Sequence, residues 1–261
     1  MENNKVFSVK NMSFAYDKKV ILNNLNFDIS ANKITTLMGA NGCGKSTLLQ
    51  LISKNLNPQK GLIYISNKNI ANVHMKEFAK KVAIVHQYNT APEDLTVEQL
   101  VYYGRTPYDK FGKSKKEKEL DDKKVHQAMQ ITGVLSFKDR PVQSLSGGQK
   151  QRVWIAVALA QGTKILLLDE PTTYLDVRYQ LQILRLVKNL NRKLGITIVM
   201  VLHDINQALA YSDEVIAISP KGTIISKGQT EDIITTEVIQ KMYGINLEMT
   251  RINEKPFVIT V

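Results

Sequence analysis

The chain has 261 residues, of which 43% are hydrophobic, and its 35 Lys and Arg against 24 Asp and Glu give a formal charge of +11. Such a length can bury a sizeable core and favours one large domain, and the longest apolar run, Val153 to Ala160, is eight residues, far below the roughly 20 that a membrane-spanning helix needs. With one cysteine, Cys43, and no basic-then-apolar layout over Met1 to Phe7, we expect a globular protein of the reducing cytosol without a disulfide framework.

The excess of basic residues leaves three kinds of partner open: nucleic acid, an anionic membrane surface or phosphorylated ligands. Much of the excess lies in Lys110 to Lys124, where acidic residues are interspersed with the lysines. That mixture is typical of an exposed loop and helix start. We therefore expect a solvated basic surface here.

The first elements read as strands followed by a helix. Apolar and polar residues alternate over Val6 to Tyr16 and Val20 to Ile29, and an apolar run follows at Ile34 to Met38. A glycine-rich turn comes next. The segment Lys45 to Lys54 then has leucines and isoleucine at helical spacing.

Strand signals fade between Thr90 and Gly162, which predicts an inserted helical subdomain. The helical patterns in the chain are Thr96 to Gly104, Lys115 to Thr132, Gly147 to Gln161 and Arg178 to Lys193. The further strand patterns are Val82 to Val85, Lys164 to Leu168 and Ile196 to Leu202. This alternation predicts a largely parallel sheet flanked by helices. After Gly228 we expect a helix over Thr230 to Tyr243 and one or two strands within Leu247 to Val261, without a chemical role.

The turn before the first helix carries a phosphate-binding pattern. Gly39 to Ser46 matches G-x-x-x-x-G-K-[ST] between a predicted strand and a predicted helix. Glycines let backbone N–H groups surround phosphate oxygens, and the helix start adds partial positive charge. We expect Lys45 to reach the β- and γ-phosphates and the Ser46 hydroxyl to ligate Mg²⁺. An ordinary glycine-rich turn would leave both residues unexplained.

A second apolar strand pattern ends in two carboxylates. Ile165 to Leu168 reads as a buried strand and is followed by Asp169 and Glu170. Ligands bind at the carboxyl ends of strands in open α/β sheets, so Asp169 is expected to hold Mg²⁺ through water. Glu170 is expected to act as the base for a water that attacks the γ-phosphate. Without the phosphate loop, the same pattern would indicate only a strand entering a solvated loop.

The run Leu145-Ser146-Gly147-Gly148-Gln149 is the most specific string in the chain. A serine and two glycines that open a helix form a second anion site, because the hydroxyl, the amides and the helix dipole can contact a phosphate. A well-capped helix would explain Ser146 but not the residues after it. With this run the sequence resembles the ATP-binding subunits of ABC transporters, from about Phe7 to Gly228.

The resemblance implies an α/β fold with a P-loop NTPase (RecA-like) core, an N-terminal antiparallel β-subdomain and an inserted α-helical subdomain. The core would span 1–87 and 163–261, and the insertion about 88–162. ATP and Mg²⁺ would be bound between two copies of the chain, so that the signature serine of one copy faces the γ-phosphate held by the other.

The same resemblance assigns a role to individual residues. Tyr16 would stack on adenine, Gln87 would reach Mg²⁺ and the attacking water, Asp176 would lie at the dimer interface, and His203 would contact the γ-phosphate. The residues that would surround the phosphates are Gly39, Asn41, Gly42, Gly44, Lys45, Ser46, Thr47, Ser146, Gly147, Gly148 and Gln149. Ala40 and Thr173 depart from the common proline and serine without removing a functional group. Cys43 is a variable loop position, whose alkylation we expect nucleotide to block.

Three segments resemble the ATPases of iron-siderophore, haem or cobalamin importers: Ala91 to Val97, Tyr103 to Tyr108 and Glu170 to Asp176. We expect iron-siderophore import first, with zinc or manganese import as nearest competitors. The resemblance implies an integral membrane permease that docks a helix in a groove after Gln87, an external substrate-binding protein, and a peripheral position at the cytoplasmic face of the membrane.

Two rival classes share parts of the pattern. ABC ATPases that act on DNA or ribosomes would suit the basic charge, but Lys45 and Ser146 lie 101 residues apart with no sustained heptads between them. A small-molecule kinase would share the phosphate loop but would not use the signature at Ser146. We therefore expect no nucleic-acid partner.

Overall fold

The computed structural model describes residues 5–259. Residues 1–4, part of the segment judged not to be a leader, and residues 260–261, the end of the last predicted strands, lie outside the described residues. The described strands are β1 (Lys5–Tyr16), β2 (Lys19–Ser30), β3 (Ile34–Met38), β4 (Lys60–Ile65), β5 (Lys68–Asn69), β6 (Val82–Val85), β7 (Ile165–Leu168), β8 (Thr197–Val201), β9 (Glu214–Ile218), β10 (Ile224–Gln229), β11 (Glu248–Ile252) and β12 (Lys255–Ile259). The described α-helices are α1 (Lys45–Ile52), α2 (Met75–Ala79), α3 (Val97–Tyr102), α4 (Lys115–Thr132), α5 (Gly147–Ala160), α6 (Val177–Leu194), α7 (Ile205–Tyr211), α8 (Thr230–Ile233) and α9 (Thr236–Tyr243).

The described chain divides into two compact units. The first unit contains residues 5–73 and 191–259, and the second is His74–Leu190. The predicted helical insertion, about 88–162, falls within the second unit and stays a prediction. Within residues 5–259, no helix combines the length and the apolar character that crossing a membrane requires.

An antiparallel sheet of order β2-β1-β4-β5 opens the first unit. Strand β1 pairs with both β2 and β4, so Phe7 lies opposite Ile29 on one side and Ile65 on the other. One face of β1 is apolar and buried, which matches the alternation read from the sequence. The predicted N-terminal antiparallel β-subdomain is therefore confirmed.

The core of the first unit is built around β3. This strand pairs in parallel with β8 and with β9, and β10 continues the sheet antiparallel to β9. All five residues of β3 are buried, as expected for a strand with a neighbour on each side. Because Leu37 pairs with Val201, β3 and β8 end at the same edge of the sheet.

The second unit combines two parallel strands with packed helices. Strand β6 pairs with β7 so that Val85 lies opposite Leu168, at the carboxyl ends of both strands. Helices α3, α4 and α5 share one apolar cluster, which includes Val97, Met129 and Val153. Thr96 and Ser114 begin α3 and α4 with reciprocal capping boxes.

Two predicted helices differ from those observed. Helix α3 ends at Tyr102 and continues as a 3₁₀ turn over Tyr103–Tyr108 that contains Pro107, which cannot donate a backbone hydrogen bond. The predicted helix over Thr230 to Tyr243 is two helices, α8 and α9. Thr235 between them is extended and accepts the Val238 N–H at 3.3 Å, which starts α9 afresh.

The lysine-rich segment is less exposed than its composition indicates. Asp121 on α4 is buried. Its Oδ1 lies 2.7 Å from Arg105 Nε, and its Oδ2 lies 2.5 Å from Lys113 Nζ. Burial alone would raise the pKa of the Asp121 carboxyl, but the hydrogen bonds from Lys113 and Arg105 outweigh burial and lower it. The expectation of a solvated surface is therefore wrong at this position, since two cations neutralise the buried carboxylate.

Candidate functional site

The glycine-rich turn between β3 and α1 has a backbone that only glycine accommodates. Gly39 has φ 150°, and a Cβ there would lie 2.4 Å from the carbonyl oxygen of Ile218. Gly44 has φ 104°, and a Cβ there would lie 2.6 Å from Leu22 Cδ2. Both positions combine a left-handed conformation with close packing, so the glycine spacing follows from the shape of the loop.

Lys45 lies across this loop. Its Nζ donates to the carbonyl oxygens of Gly39 at 2.9 Å and Ala40 at 3.0 Å, and the residue is only 4% exposed. Asn41 and Gly42 are exposed, whereas Ser46 and Thr47 are half-buried on the first turn of α1. The loop therefore joins a buried ammonium to a helix start, an arrangement suited to an anion.

Cys43 is part of the packing of the loop. The residue is 1% exposed, and burial raises the pKa of its thiol in spite of the nearby Lys45. The side chain therefore combines little access with a small thiolate fraction. This environment is that of an inert structural cysteine.

Two further predicted residues lie in the first unit. Tyr16 ends β1, is 48% exposed, and meets Phe14 edge to face with ring centroids 4.9 Å apart. His203 is exposed and follows β8. Since β8 is the parallel neighbour of β3, His203 follows the same sheet edge as the phosphate loop.

In the second unit, the carboxyl ends of β6 and β7 hold a cluster of polar side chains. Asp169 is 5% exposed, and its N–H donates to the Val85 carbonyl at 2.9 Å. Oε2 of Glu170 accepts hydrogen bonds from Gln87 Nε2 at 2.7 Å and from Thr173 Oγ1 at 2.9 Å. The two donors fix the orientation of the Glu170 carboxylate.

The signature run forms the start of α5. Ser146 is the N-cap, and its N–H donates to Gln149 Oε1 at 2.9 Å. Ser146 and Gly147 are exposed, whereas Gly148 is buried. A Cβ on Gly148 would lie 2.6 Å from Cδ1 of Tyr179, so this glycine is required by packing. The side chain of Gln149 likewise has a structural contact, since it closes the cap.

Asp176 caps the next helix, α6. Its Oδ1 accepts the Tyr179 N–H at 3.1 Å, and the residue is exposed. The short side chain thus satisfies an N–H of the first helical turn.

Sequence reasoning missed three side chains near Glu170. Thr173 was noted only as a departure from serine, and Tyr88 and Tyr174 were not singled out. The hydroxyls of these two tyrosines share a hydrogen bond of 2.6 Å. They lie 86 residues apart. The pairing of β6 with β7 brings the segments that follow these strands together, and a sequence prediction of that pairing would have been needed to place the two tyrosines near each other.

The structure thus brings the predicted residues together in two groups. The first unit holds Tyr16, the phosphate loop with Lys45, Ser46 and Thr47, and His203. The second unit holds Gln87, Asp169, Glu170, the signature Ser146 to Gln149, and Asp176.

Comparison with known proteins gives one family. The ABC transporter family matches residues 22–173. The iron(3+)-hydroxamate import ATP-binding protein FhuC of Bacillus subtilis (strain 168) is 44% identical over 243 residues, which cover 93% of this chain and 89% of that protein.

Solved structures agree in fold. A metal-chelate type ABC transporter in an inward-facing conformation has a TM-score of 0.83 at 30% identity, covering 98% of this chain and 96% of that one. A dimeric ATP-binding cassette in a post-hydrolysis state, bound to ADP and phosphate, has a TM-score of 0.72 at 30% identity, covering 86% and 98%. These structures confirm the predicted α/β fold class, and the chain belongs to the ABC transporter family of ATPases.

Proposed function

We propose that this chain is the ATP-hydrolysing subunit that energises an importer of ferric siderophores. The observation that carries the proposal is its 44% identity to an iron(3+)-hydroxamate import ATP-binding protein over 93% of the chain. The cargo is proposed from this likeness alone, because function on a shared fold is decided by the site and no side chain of the nucleotide site reads a siderophore.

Nucleotide binding is proposed to begin at the phosphate loop. A bound triphosphate offers Lys45 stronger, charged acceptors than the neutral carbonyls of Gly39 and Ala40. The residues proposed to surround the phosphates with N–H groups are Gly39, Asn41, Gly42, Gly44, Ser46 and Thr47. The exposed ring of Tyr16 is proposed to stack on adenine.

The donors present suit Mg²⁺ brought in with the nucleotide. Residues 5–259 contain no group of three or more His, Cys, Asp or Glu that could hold a metal ion by themselves, and Mg²⁺ is usually bound by one or two carboxylates together with phosphate oxygens and water. We assign the Ser46 hydroxyl, the Asp169 carboxylate and the Gln87 amide oxygen to it. When bound, the ion supplies positive charge to the phosphoryl oxygens.

Hydrolysis is proposed to use Glu170 as the general base. Gln87 and Thr173 hold Oε2, and a carboxylate has further lone pairs that can accept a proton from water. Glu170 would take that proton as the oxygen attacks the γ-phosphate, while His203 contacts the phosphate and steadies the water.

Two copies of the chain are proposed to enclose two ATP molecules. The start of α5 presents Ser146 and Gly147 at the surface, and with Gly148 and Gln149 it would face the γ-phosphate held by the other copy, with Asp176 at the interface. Support comes from the dimeric cassette bound to ADP and phosphate, which is 30% identical over 86% of this chain. Hydrolysis would open the dimer because the γ-phosphate contacts are lost.

Coupling to transport is proposed to occur through an integral membrane permease, with an external substrate-binding protein that delivers the cargo. The chain would be peripheral at the cytoplasmic face, with the segment after Gln87 and the helical subdomain at about 88–162 receiving a helix of the permease. No nucleic-acid partner is proposed.

An uptake assay tests the cargo. In a strain that lacks this gene, uptake of radiolabelled ferric siderophores should fall and should be restored by the wild-type chain but not by Glu170→Gln. Haem and cobalamin uptake serve as controls and should be unchanged. Normal uptake of every ferric chelate would contradict the proposal, and so would a loss confined to haem or cobalamin.

A further inference from the structure

The segments that follow β6 and β7 are joined by two side-chain links. Gln87 is bonded to Glu170 at 2.7 Å, and the next residue, Tyr88, is bonded to Tyr174 at 2.6 Å between hydroxyl oxygens. The two tyrosine rings are tilted, with centroids 6.0 Å apart. The links therefore lie side by side, one at each end of the segment Glu170 to Tyr174.

That segment holds a disfavoured backbone. Glu170 has φ 50° and Tyr174 has φ 62°, both in the left-handed region that residues with a side chain rarely adopt. Its own backbone hydrogen bonds are long: Thr173 N–H to Glu170 O is 3.3 Å, and Leu175 N–H to Thr172 O is 3.4 Å. Such a conformation persists only where surrounding contacts impose it. The two side-chain links are contacts of this kind.

Burial does not explain the two tyrosines. Tyr88 is 69% exposed and Tyr174 is 78% exposed, so their rings contribute little apolar burial within the described chain. Their hydroxyls are the atoms that meet. The hydrogen bond with Tyr174 also raises the pKa of the Tyr88 hydroxyl, as expected when Tyr88 donates its proton and the bond favours the neutral form.

We propose that the pair Tyr88 and Tyr174 is a positioning device for Glu170. The pair anchors the far end of the strained segment to the residue beside Gln87, so that the carboxylate stays where Gln87 and Thr173 hold it. This inference rests on the proposed function, in which Glu170 is the base. Neither tyrosine touches the reacting atoms in this scheme, so both are positioning residues.

The test uses Tyr88→Phe, Tyr174→Phe and the double variant, which keep the rings and remove the shared hydrogen bond. Each single change should lower kcat for ATP hydrolysis about threefold to tenfold, the range set by one hydrogen bond, with KM for ATP within about twofold of wild type. The double variant should be no slower than either single variant, because both lose the same bond. Tyr103→Phe, at a tyrosine 54% exposed in the same unit, is the matched control and should leave kcat unchanged.

Several results would overturn the inference. Unchanged kcat in both variants, additive losses in the double variant, or a rise in KM without a fall in kcat would each contradict positioning. A fall in the thermal midpoint that accounts for the lost activity would indicate a structural role instead. Glu170→Gln, measured in parallel, separates the two proposals: if it retains wild-type hydrolysis the base assignment fails, and if it alone is inactive only the tyrosine inference fails.

Discussion

The Lys45 ammonium group has one observed role in the glycine-rich loop and one proposed role at the nucleotide. In the described chain it draws together the carbonyls of Gly39 and Ala40, and the proposed function needs it at the phosphates. Phosphate oxygens carry negative charge and the two carbonyl oxygens are neutral, so the contact of the ammonium with phosphate should be the stronger one.

Replacing this lysine should therefore weaken nucleotide binding. For Lys45→Ala we expect a loss of affinity for ATP of about tenfold to a hundredfold, measured by titration with a fluorescent ATP analogue. Lys68→Ala, at an exposed lysine in the same unit, is the control for the loss of one positive charge. Equal affinities for wild type and Lys45→Ala would reject the phosphate role.

Cys43 should be nearly inert in the folded protein. Its thiol is buried and its pKa is raised, and both reduce the rate of alkylation. Iodoacetamide at neutral pH should label it slowly with or without ATP, and rapidly only in denaturant, as read by mass spectrometry. The sequence predicts that nucleotide protects Cys43 from alkylation. Because the thiol should already react slowly without nucleotide, bound ATP should change the labelling rate little. Rapid labelling of the native chain would contradict the packing described for the loop.

Helix α4 depends on a buried carboxylate that lies near its middle. Asp121 pairs with Arg105 and Lys113, and Arg105 Nη1 also donates to the Ala160 carbonyl at 2.7 Å. This network joins α4 to the end of α5 and to the 3₁₀ turn over Tyr103–Tyr108. Removing the carboxylate would leave the buried Arg105 guanidinium without its counter-charge, whereas Lys113 would keep its ion pair with Asp109.

Asp121→Asn should accordingly be strongly destabilising. We expect a loss of about 3 kcal/mol in the free energy of unfolding, measured by urea denaturation. Asp122→Asn, at the exposed neighbouring residue, should change it by less than about 0.5 kcal/mol. Similar losses in the two variants would show that the buried network does not stabilise the unit.

The start of α4 should give the protein a stability that depends on pH. The Lys110 hydrogen bond first, and then those from Ser114, lower the pKa of Glu117 from the ordinary 4.5 to about 2. Its contribution is therefore fully present above about pH 4.5 and is lost as the pH falls through about 2. The difference in thermal midpoint between wild type and Glu117→Gln should narrow from pH 5 to pH 2, with Glu119→Gln as the control for charge. A difference that stays constant would contradict this.

Local patterns predicted the elements whose periodicity is strong. Alternation located β1 and β2, and the helical pattern over Lys115 to Thr132 located α4 with the observed bounds. Elements without such patterns were not predicted: β4, β5, α2, α7, β9 and β10. These elements are short, and β9 is buried at every position after Glu214, so its residues show no alternation.

In the candidate site, the residues that belong to local motifs were predicted and their contacts with distant residues were not. Lys45, Asp169 and Glu170 were identified because each belongs to a motif formed by its neighbours in the sequence. The contacts of Glu170 with Gln87 and Thr173 could not be read from spacing, because one partner lies 83 residues away and is brought close by strand pairing. Tertiary contacts of this kind have no local signature.

At the scale of the whole molecule, the proposed mechanism requires two copies of the chain to close around ATP. Glu170→Gln should keep ATP binding, slow hydrolysis by about 10²- to 10⁴-fold, and trap the dimer, because the base is lost while the phosphate contacts persist. Size-exclusion chromatography with ATP and Mg²⁺ should show this dimer. The variant that also carries Lys45→Ala should remain monomeric. A monomer of Glu170→Gln at every nucleotide concentration would contradict the arrangement.

The packing of Gly148 against Tyr179 has a consequence for how such a closure proceeds. A Cβ on Gly148 would lie 2.6 Å from the Tyr179 ring, and the Tyr179 N–H is bonded to Asp176 at 3.1 Å. The first turns of α5 and α6 therefore pack against each other, which couples the positions of Ser146 and Asp176. If both residues face a second copy, as proposed, a substitution that separates the two helix starts should weaken both contacts together.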